Sequence, residues 1–559
     1  MADPMERRET SPPWKAGDRS WWNWWETPQW PWYDWFQGLS RCLSFFFAAL
    51  RIYIGFQYSV LWLNGASGEE QEAQERQLHR RCAERALELV LSMKGYYIKA
   101  AQTLCGSAVF PDEFDDVFSV LLDQCPKEPF EVVREILEAE LGCPLDEIFQ
   151  EFGTDAVAAA SIGQVHFASL RDGSPVAVKV QYPDVERYFR MDVKSLEFLM
   201  WLQGAGAKVK ELCEGMGLQF EAEFDYRKEA RHCREIAECV LPQFRDRIAI
   251  PLPIDAAHPS SAQLGGRSLC TRKVVVMERL EGVPIRVHSM ELMEMFAKAH
   301  GTTLKEIRKL ARARKAEVDD SVVHKLMSMG PVSEAAALAA IAGVKVYNCC
   351  SGCGGGGSSS SRRRKLMVPL NGPRIARLLF EVHGHEIFAH GIFNSDPHAG
   401  NVFVMKDGRL GLLDYGAVMR LTPQQRVSMA RLIVAVADED DDSVPDAMYA
   451  SGFRSRDKNP KLALLMGYMS FHRGPYPADL ERLAPKVGFP PDIDVMGIEE
   501  YITGSKLDEM ESFPVHLLML QRCCMVLSGI GMELGAGRLS SARMLRPQAA
   551  KLLRDEWSK

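Results

Sequence analysis

The sequence predicts an α+β protein, on three observations. Apolar residues recur at helical spacing through residues 76–104, ending near Gly106, and again from Pro129 to Leu141. The pattern then changes to short β-rich runs, from Val165 to Val180 and from Val274 to Met277. Helical spacing returns from Met290 and carries the C-terminal third, where Ala430, Leu432, Ile433 and Val436 follow Pro423. The 559-residue chain is 47% apolar and 25% charged, enough apolar surface to offset chain entropy and fill several folding units. Collagen-like, coiled-coil and wholly disordered chains are excluded. The net charge of −7, from 67 basic and 74 acidic residues, gives no footprint for nucleic acid, which would want a basic surplus on one face.

Each element carries its own expectation, starting at the N-terminus. Residues 1–40 hold eight of the eleven Trp, with Pro28, Pro31 and six acidic side chains, and read either as a disordered tail or as a segment for a water–lipid interface. Organelle-targeting sequences are Arg- and Ser-rich and poor in acid, so no clear transit peptide is seen. Residues 41–75 contain an apolar helix, Leu43 to Leu63, long enough to span a bilayer but with Arg51 near its middle, at a cost of ~2.5–3.5 kcal/mol. Ser44, Ala48, Arg51, Gly55 and Ser59 share one stripe of it. Docking on a membrane is the favoured reading, with burial against its own domain or spanning as alternatives. Residues 76–155 form a helical extension, and 156–285 hold the β-rich runs. Residues 286–559 are mostly helical, interrupted by a flexible Gly/Ser/Arg insertion at 349–365. The fourteen cysteines are scattered and read as reduced thiols; Cys349, Cys350 and Cys353 form one CxxC without a second ligand pair for zinc.

The chemistry-bearing residues are weak one by one and informative in order. In SPVAVKVQYP, Val176, Val178 and Val180 share one strand face, so Lys179 can face a cleft, although a lysine in such a strand is more often just a solvated residue and the motif alone is weak. The small-residue run Ala158, Ala159, Ala160, Ser161 precedes an alternating strand; it would let backbone N–H groups approach phosphate, or it is a tightly packed turn. Further on, Asp396 and Asn401 are five apart, the spacing of a kinase catalytic loop, and Asp414-Tyr415-Gly416 follows thirteen residues after Asn401 at the end of the strand Leu410–Leu413. Carboxylate and amide oxygens are the hard ligands that Mg²⁺ takes beside water and phosphate. A cleft lysine needs a carboxylate partner; Glu229 is the first choice, and Glu223 the rival. The buried strand Val274 to Met277 runs into a linker, Glu278 to Leu280, whose backbone suits adenine.

These segments together resemble the UbiB/ADCK family of atypical protein-kinase-like proteins, over roughly residues 40–450. The motifs that carry the resemblance are KGYYIKAAQTL, AAASIGQVHFASLRDGSPVAVKVQYPDVE, EFDYRKEA, VVVMERLEGVPI, SDPHAGNVFV and LLDYGAV. The resemblance implies a two-lobed protein-kinase-like fold with ATP and Mg²⁺ as cofactors. The helix carrying Lys99 and Gln102 would be packed over the active site, met by the pair Glu223 and Asp225, and the C-lobe would be mostly helical. It further implies an ATPase or small-molecule or lipid-linked kinase supporting isoprenoid-quinone lipid metabolism at a mitochondrial or chloroplast membrane. Partners would be nucleotide, a membrane lipid or quinone precursor, and a lipid-biosynthetic protein complex. A non-catalytic nucleotide-responsive scaffold is the alternative, and an ordinary Ser/Thr protein kinase the third. The chain departs from the family pattern at Ala101, Ser395, Ala399 and Tyr415, none of which removes a metal ligand. His383, His385, His390 and His398 cluster near the catalytic segment, where such histidines usually serve as hydrogen-bonding groups.

Overall fold

The computed structural model describes residues 32–63, 68–104, 111–122, 125–202, 223–287, 372–472, 477–488, 507–534 and 541–557, with isolated positions 290, 294, 536, 539 and 540. The expected insertion at 349–365, its cysteines and most of the Trp-rich start lie outside them. The chain divides into two compact units. One comprises Met1–Ala139, Gly153–His166 and Lys179–Phe224; the other comprises Glu140–Phe152, Phe167–Val178 and Asp225–Lys559.

The first unit is built on helices α1 (Trp32–Leu63), α2 (Gly68–Met93), α3 (Gly95–Leu104), α4 (Asp112–Phe118) and most of α5 (Phe130–Leu141). Helix α1 begins at Trp32, inside the span expected to be a tail. The continuous helix expected over 76–104 is broken, because Lys94 and Gly95 both take positive φ, 57° and 52°. Glycine adopts this freely; for lysine it costs about 1–2 kcal/mol. The Lys94 N–H still donates to the Val90 carbonyl at 3.1 Å, closing α2 before the chain re-enters a helix.

Four strands follow: β1 (Phe149–Phe152), β2 (Ala158–Ala159), β3 (Gly163–Leu170) and β4 (Pro175–Gln181), with β3 and β4 each passing from one unit into the other. The small-residue run is therefore a hairpin: Ala158 pairs with Val165, Ala159 with Gln164, and the Ala160 N–H closes the turn on the Gly163 carbonyl at 2.8 Å. Helix α6 (Val185–Leu202) completes the first unit. Arg41 of α1 grips Asp192 of α6 through two bonds of 3.0 and 2.9 Å and donates to the Met93 carbonyl at 2.7 Å, while Phe45 stacks on Tyr97. Burial pushes the Asp192 carboxyl upward, opposed by the guanidinium. Breaking a buried pair of this kind costs about 3–5 kcal/mol, so the Arg41 side of α1 is its structural face. Of the small-residue stripe, Ala48, Gly55 and Ser59 are half-buried, whereas Ser44 and Arg51 are exposed. So are Phe36, Leu43, Phe47, Leu50, Ile54 and Tyr58, at helical spacing.

In the second unit, β1 pairs antiparallel with the end of β3, Phe149 opposite Leu170, and the sheet runs in the order β1-β3-β4-β6. Here β6 is Val274–Glu278; β5 (Ile248–Ala249) and α7 (Tyr226–Phe244) precede it in sequence, and β7 (Gly282–Pro284) follows. Val176, Val178, Val274, Val275 and Val276 are fully buried, as the alternating and continuous apolar patterns of these strands require. After α8 (Gly372–His385) and a π-helical turn, Glu386–His390, come β8 (Ile392–Asn394), β9 (Val402–Met405), β10 (Leu410–Leu412) and β11 (Val418–Arg420). A second sheet has the order β5-β10-β9-β7, and β8 pairs with β11. Gly282 is required in β7, since a Cβ there would lie 2.8 Å from the Val404 carbonyl oxygen. Among the described residues, six helices follow: α9 (Pro423–Ala437), α10 (Ser443–Ala450), α11 (Pro460–Phe471), α12 (Pro477–Val487), α13 (Val515–Glu533) and α14 (Ser541–Trp557). Helix α9 starts on a capping box in which Thr422 and Gln425 satisfy each other's backbone N–H. One continuous core, including Phe244, Phe380, Phe393, Leu432, Leu465 and Leu520, unites these helices with α7, α8 and the second sheet.

Candidate active site

Two antiparallel pairings in the second unit bring Asp396, Asn401 and Asp414 onto one connected segment. The β8–β11 pair sets Asn394 opposite Val418, and the Ser395 N–H and hydroxyl both donate to the Ala417 carbonyl, at 2.8 and 3.0 Å. The β9–β10 pair sets Val402 opposite Leu412, and the Leu413 N–H continues it onto the Asn401 carbonyl at 3.0 Å. Between β8 and β9 a 3₁₀ turn, Ala399–Asn401, is capped by His398, whose Nδ1 accepts from the Gly400 N–H at 3.0 Å. His398 is thereby spent on the local turn.

The side chains of Asp396, Asp414 and Asn394 are each held by hydrogen bonds. Asp396 Oδ2 accepts from Arg522 of α13 at 2.7 Å. Asp414 Oδ1 accepts the Gly416 N–H at 2.8 Å, forming the tight turn of the Asp-Tyr-Gly segment. Asn394 joins the two loops: its Oδ1 accepts from the Asp396 N–H at 2.9 Å, and its Nδ2 donates to the Asp414 carbonyl at 2.7 Å. Its own N–H donates to Glu386 Oε2 at 3.2 Å. Glu386 is fully buried, and burial pushes its carboxyl up to about 8 against the pull of that N–H. A small cavity of ≈ 10 Å³ lies among Glu386, Asn394, Asn401, Asp414 and Tyr415. Among the described residues, neither Glu386 Oε1 nor Tyr415 Oη, both buried, has a hydrogen-bond partner.

The neighbouring histidines have structural roles. His383 is buried with Nδ1 against the Leu379 carbonyl at 2.8 Å, and burial lowers its pKa to about 4. His385 and His390 meet through their Nε2 atoms at 3.1 Å. Among the described residues, no group of three or more His, Cys, Asp or Glu is arranged around a metal ion. The donors that do converge, an amide oxygen on Asn401 and a carboxylate on Asp414, fit Mg²⁺, which binds through few protein oxygens and keeps water and phosphate as the rest of its shell.

The other expected site residues are placed as follows. Lys179 is half-buried on β4, on the face opposite Val176, Val178 and Val180. Glu229 is buried in the first turn of α7. Lys179 belongs to the first unit and Glu229 to the second, and their ion pair stays an expectation. Within the first unit, Lys99 pairs with the rival carboxylate Glu223 at 3.1 Å, and Gln102 donates to the Leu121 carbonyl at 2.7 Å. Asp225 caps α7 and binds Arg227 in a forked pair at 2.8 and 2.9 Å, which helps hold its carboxyl below the usual range. At the expected hinge, the Glu278 N–H already donates to the Leu252 carbonyl at 3.0 Å, so that amide is not available to a base. Leu280 packs beside Gly411. Three residues of the site escaped the sequence reading. Arg522 is a single cation in an apolar helix 126 residues after Asp396; Glu386 sits in an apolar run; Asn394 is a common turn residue.

Comparison with known proteins bears on these motifs. The ABC1 atypical kinase-like domain matches residues 120–324 and 362–448, just over half of the chain. The chloroplastic protein ACTIVITY OF BC1 COMPLEX KINASE 1 of Arabidopsis thaliana is 25% identical over 72% of this chain and 47% of its own. AarF domain-containing protein kinase 1 of Xenopus tropicalis is 27% identical over 67% of this chain and 57% of its own. The chain thus spans about half the length of such curated relatives. A Mycobacterium tuberculosis protein solved in complex with erythromycin is 20% identical, with a TM-score of 0.45 over 87% of this chain and 98% of that one. With a kinase-like domain of mixed helices and strands and the Asp396, Asn401 and Asp414 segment inside the matched region, the chain belongs to the ABC1 atypical kinase-like family, known also as UbiB/ADCK.

Proposed function

We propose that this protein is an atypical kinase-like phosphoryl-transfer protein that binds ATP with Mg²⁺ and acts as an ATPase or as a kinase for a small or lipid-linked acceptor. The observation that carries the reading is the convergence of Asp396, Asn401 and Asp414 on two loops tied by Asn394. Asn401 and Asp414 would hold the metal, and Lys179, oriented by Glu229, would contact the α and β phosphates. Bound Mg²⁺ would neutralise charge on the phosphoryl oxygens. Arg522 takes Asp396 Oδ2 and so fixes the carboxylate plane, leaving Oδ1 to accept a hydrogen bond from the attacking hydroxyl or water. The carboxylate then orients the nucleophile and receives its proton.

The exposed apolar stripe of α1 supports action at a membrane, and the chloroplastic relatives support an organelle. A role in isoprenoid-quinone lipid metabolism, beside a lipid-biosynthetic complex, rests on the family resemblance. The scaffold reading keeps one favouring observation: Asp396 is already engaged by Arg522. Asp396→Asn separates the two in an assay of Mg²⁺-dependent ATP hydrolysis with and without anionic liposomes. Phosphoryl transfer predicts turnover lost with nucleotide binding kept; turnover unchanged from wild type would refute it.

A further inference from the structure

We propose that Glu386 and Asn394 form a positioning network that fixes the Asp414 carboxylate relative to Asp396 and thereby sets how strongly metal and nucleotide binding are coupled; this rests on the phosphoryl-transfer reading above. Asn394 is 7% exposed and spends its backbone N–H and its whole side chain on three partners: Glu386, the Asp396 N–H and the Asp414 carbonyl. The last two are backbone groups, so a shift of Asn394 displaces both loops at their main chain. Asp414 is also pinned on its other side by the Gly416 N–H. The Gly416 N–H thus holds one carboxylate oxygen, and Asn394 holds the main chain that carries the side chain. Mg²⁺ demands near-octahedral geometry, so it is sensitive to a small displacement of such a ligand.

Glu386 occupies the first residue of the π-helical turn and is completely buried. Turns of this kind insert one residue into a helix and are frequent at functional sites. A buried carboxyl with one oxygen unpartnered costs more than an apolar side chain would, so stability alone does not account for it. Its placement accounts for it instead, because Oε2 holds the Asn394 N–H while the rest of the group lines the cavity beside Asn401 and Asp414. Glu386 acts through Asn394, whose N–H its Oε2 accepts.

The test measures ATP affinity of the full chain by titration calorimetry, once with Mg²⁺ and once with a chelator, and takes the ratio as the coupling. Thermal melting checks each variant for folding. The wild type is expected to bind at least about tenfold tighter with Mg²⁺, equivalent to about 1.4 kcal/mol. Asn394→Asp keeps the acceptor for Asp396 and loses the donor to Asp414. It should bring the ratio to within about twofold of unity while affinity in chelator stays within about twofold of wild type. Glu386→Ala should lower the ratio as well, and Glu386→Gln should restore it, because an amide oxygen still accepts from Asn394. Folded Asn394→Asp with wild-type coupling, or equal losses with and without Mg²⁺, would overturn the network while leaving the phosphoryl-transfer reading intact. A wild type that binds no nucleotide in either condition would sink that reading and the network with it.

Discussion

Helices α1 and α13 are both long and apolar enough to cross a membrane, yet only 6% of the candidate span in α1 is buried against 44% of that in α13. The difference lies in where each places its charge and its bulk. Helix α13 buries Leu517, Leu520, Cys523, Cys524 and Leu527 in the core and sends its central cation, Arg522, to Asp396. Helix α1 anchors through Arg41 near its start and leaves Arg51 and a stripe of rings and aliphatics exposed. Composition alone makes the two helices look alike; one is a structural wall of the site and the other an outward apolar surface.

The largest expected effect breaks this comparison through stability. Leu520→Ala should lower unfolding free energy by about 2–5 kcal/mol, read by denaturant titration, whereas exposed Phe47→Ala should stay within about 0.5 kcal/mol. Equal losses would make α1 a core element too. Next, Arg522→Ala should cut ATP turnover by about a hundredfold with nucleotide affinity kept, since a misplaced catalytic group loses about that much, while Arg51→Ala leaves turnover unchanged.

A smaller effect sharpens the membrane half. Phe47→Ser with Ile54→Ser should weaken partition to anionic vesicles in a flotation assay by about tenfold per side chain, at about 1.5–3 kcal/mol for each large apolar group. Met525→Ser, on the exposed side of α13, should weaken it less; an equal loss would make both helices lipid-facing. A further effect is a pH dependence. Glu386 is raised in the folded protein to about 8 from an ordinary 4.5, so the folded state holds more protons than the unfolded one between those values. Its contribution is therefore complete below about pH 4.5 and is lost as pH rises toward 8. Glu386→Gln should flatten the melting temperature over that window; an unchanged profile would place the carboxyl in an ordinary range.

What was legible in the sequence was local. Asp396, Asn401 and Asp414 lie within nineteen positions, flanking the β9–β10 hairpin inside the β8–β11 pair, so their spacing already implies their proximity. The alternation of Val176, Val178 and Val180 gave the strand, and Thr422-Pro423 with Gln425 is a readable helix start. Contacts over long separations were not legible. Arg522 reaches Asp396 through tertiary packing, and a charge in an apolar helix reads as a blemish in the pattern until its partner is in place. Glu386 looks like any helical glutamate until its burial is known. The break at Lys94–Gly95 was readable in principle, since glycine after a lysine is a common helix stop, but the apolar spacing on both sides masked it.

The central claim is that the Asp396, Asn401 and Asp414 segment carries metal-dependent phosphoryl chemistry. Mg²⁺-dependent release of phosphate from ATP by the full chain, compared with Asp414→Asn at matched folding, tests it most directly. The account predicts turnover that rises with Mg²⁺ in the wild type and is abolished in the variant. Equal turnover in the two proteins, or turnover indifferent to Mg²⁺, would contradict it.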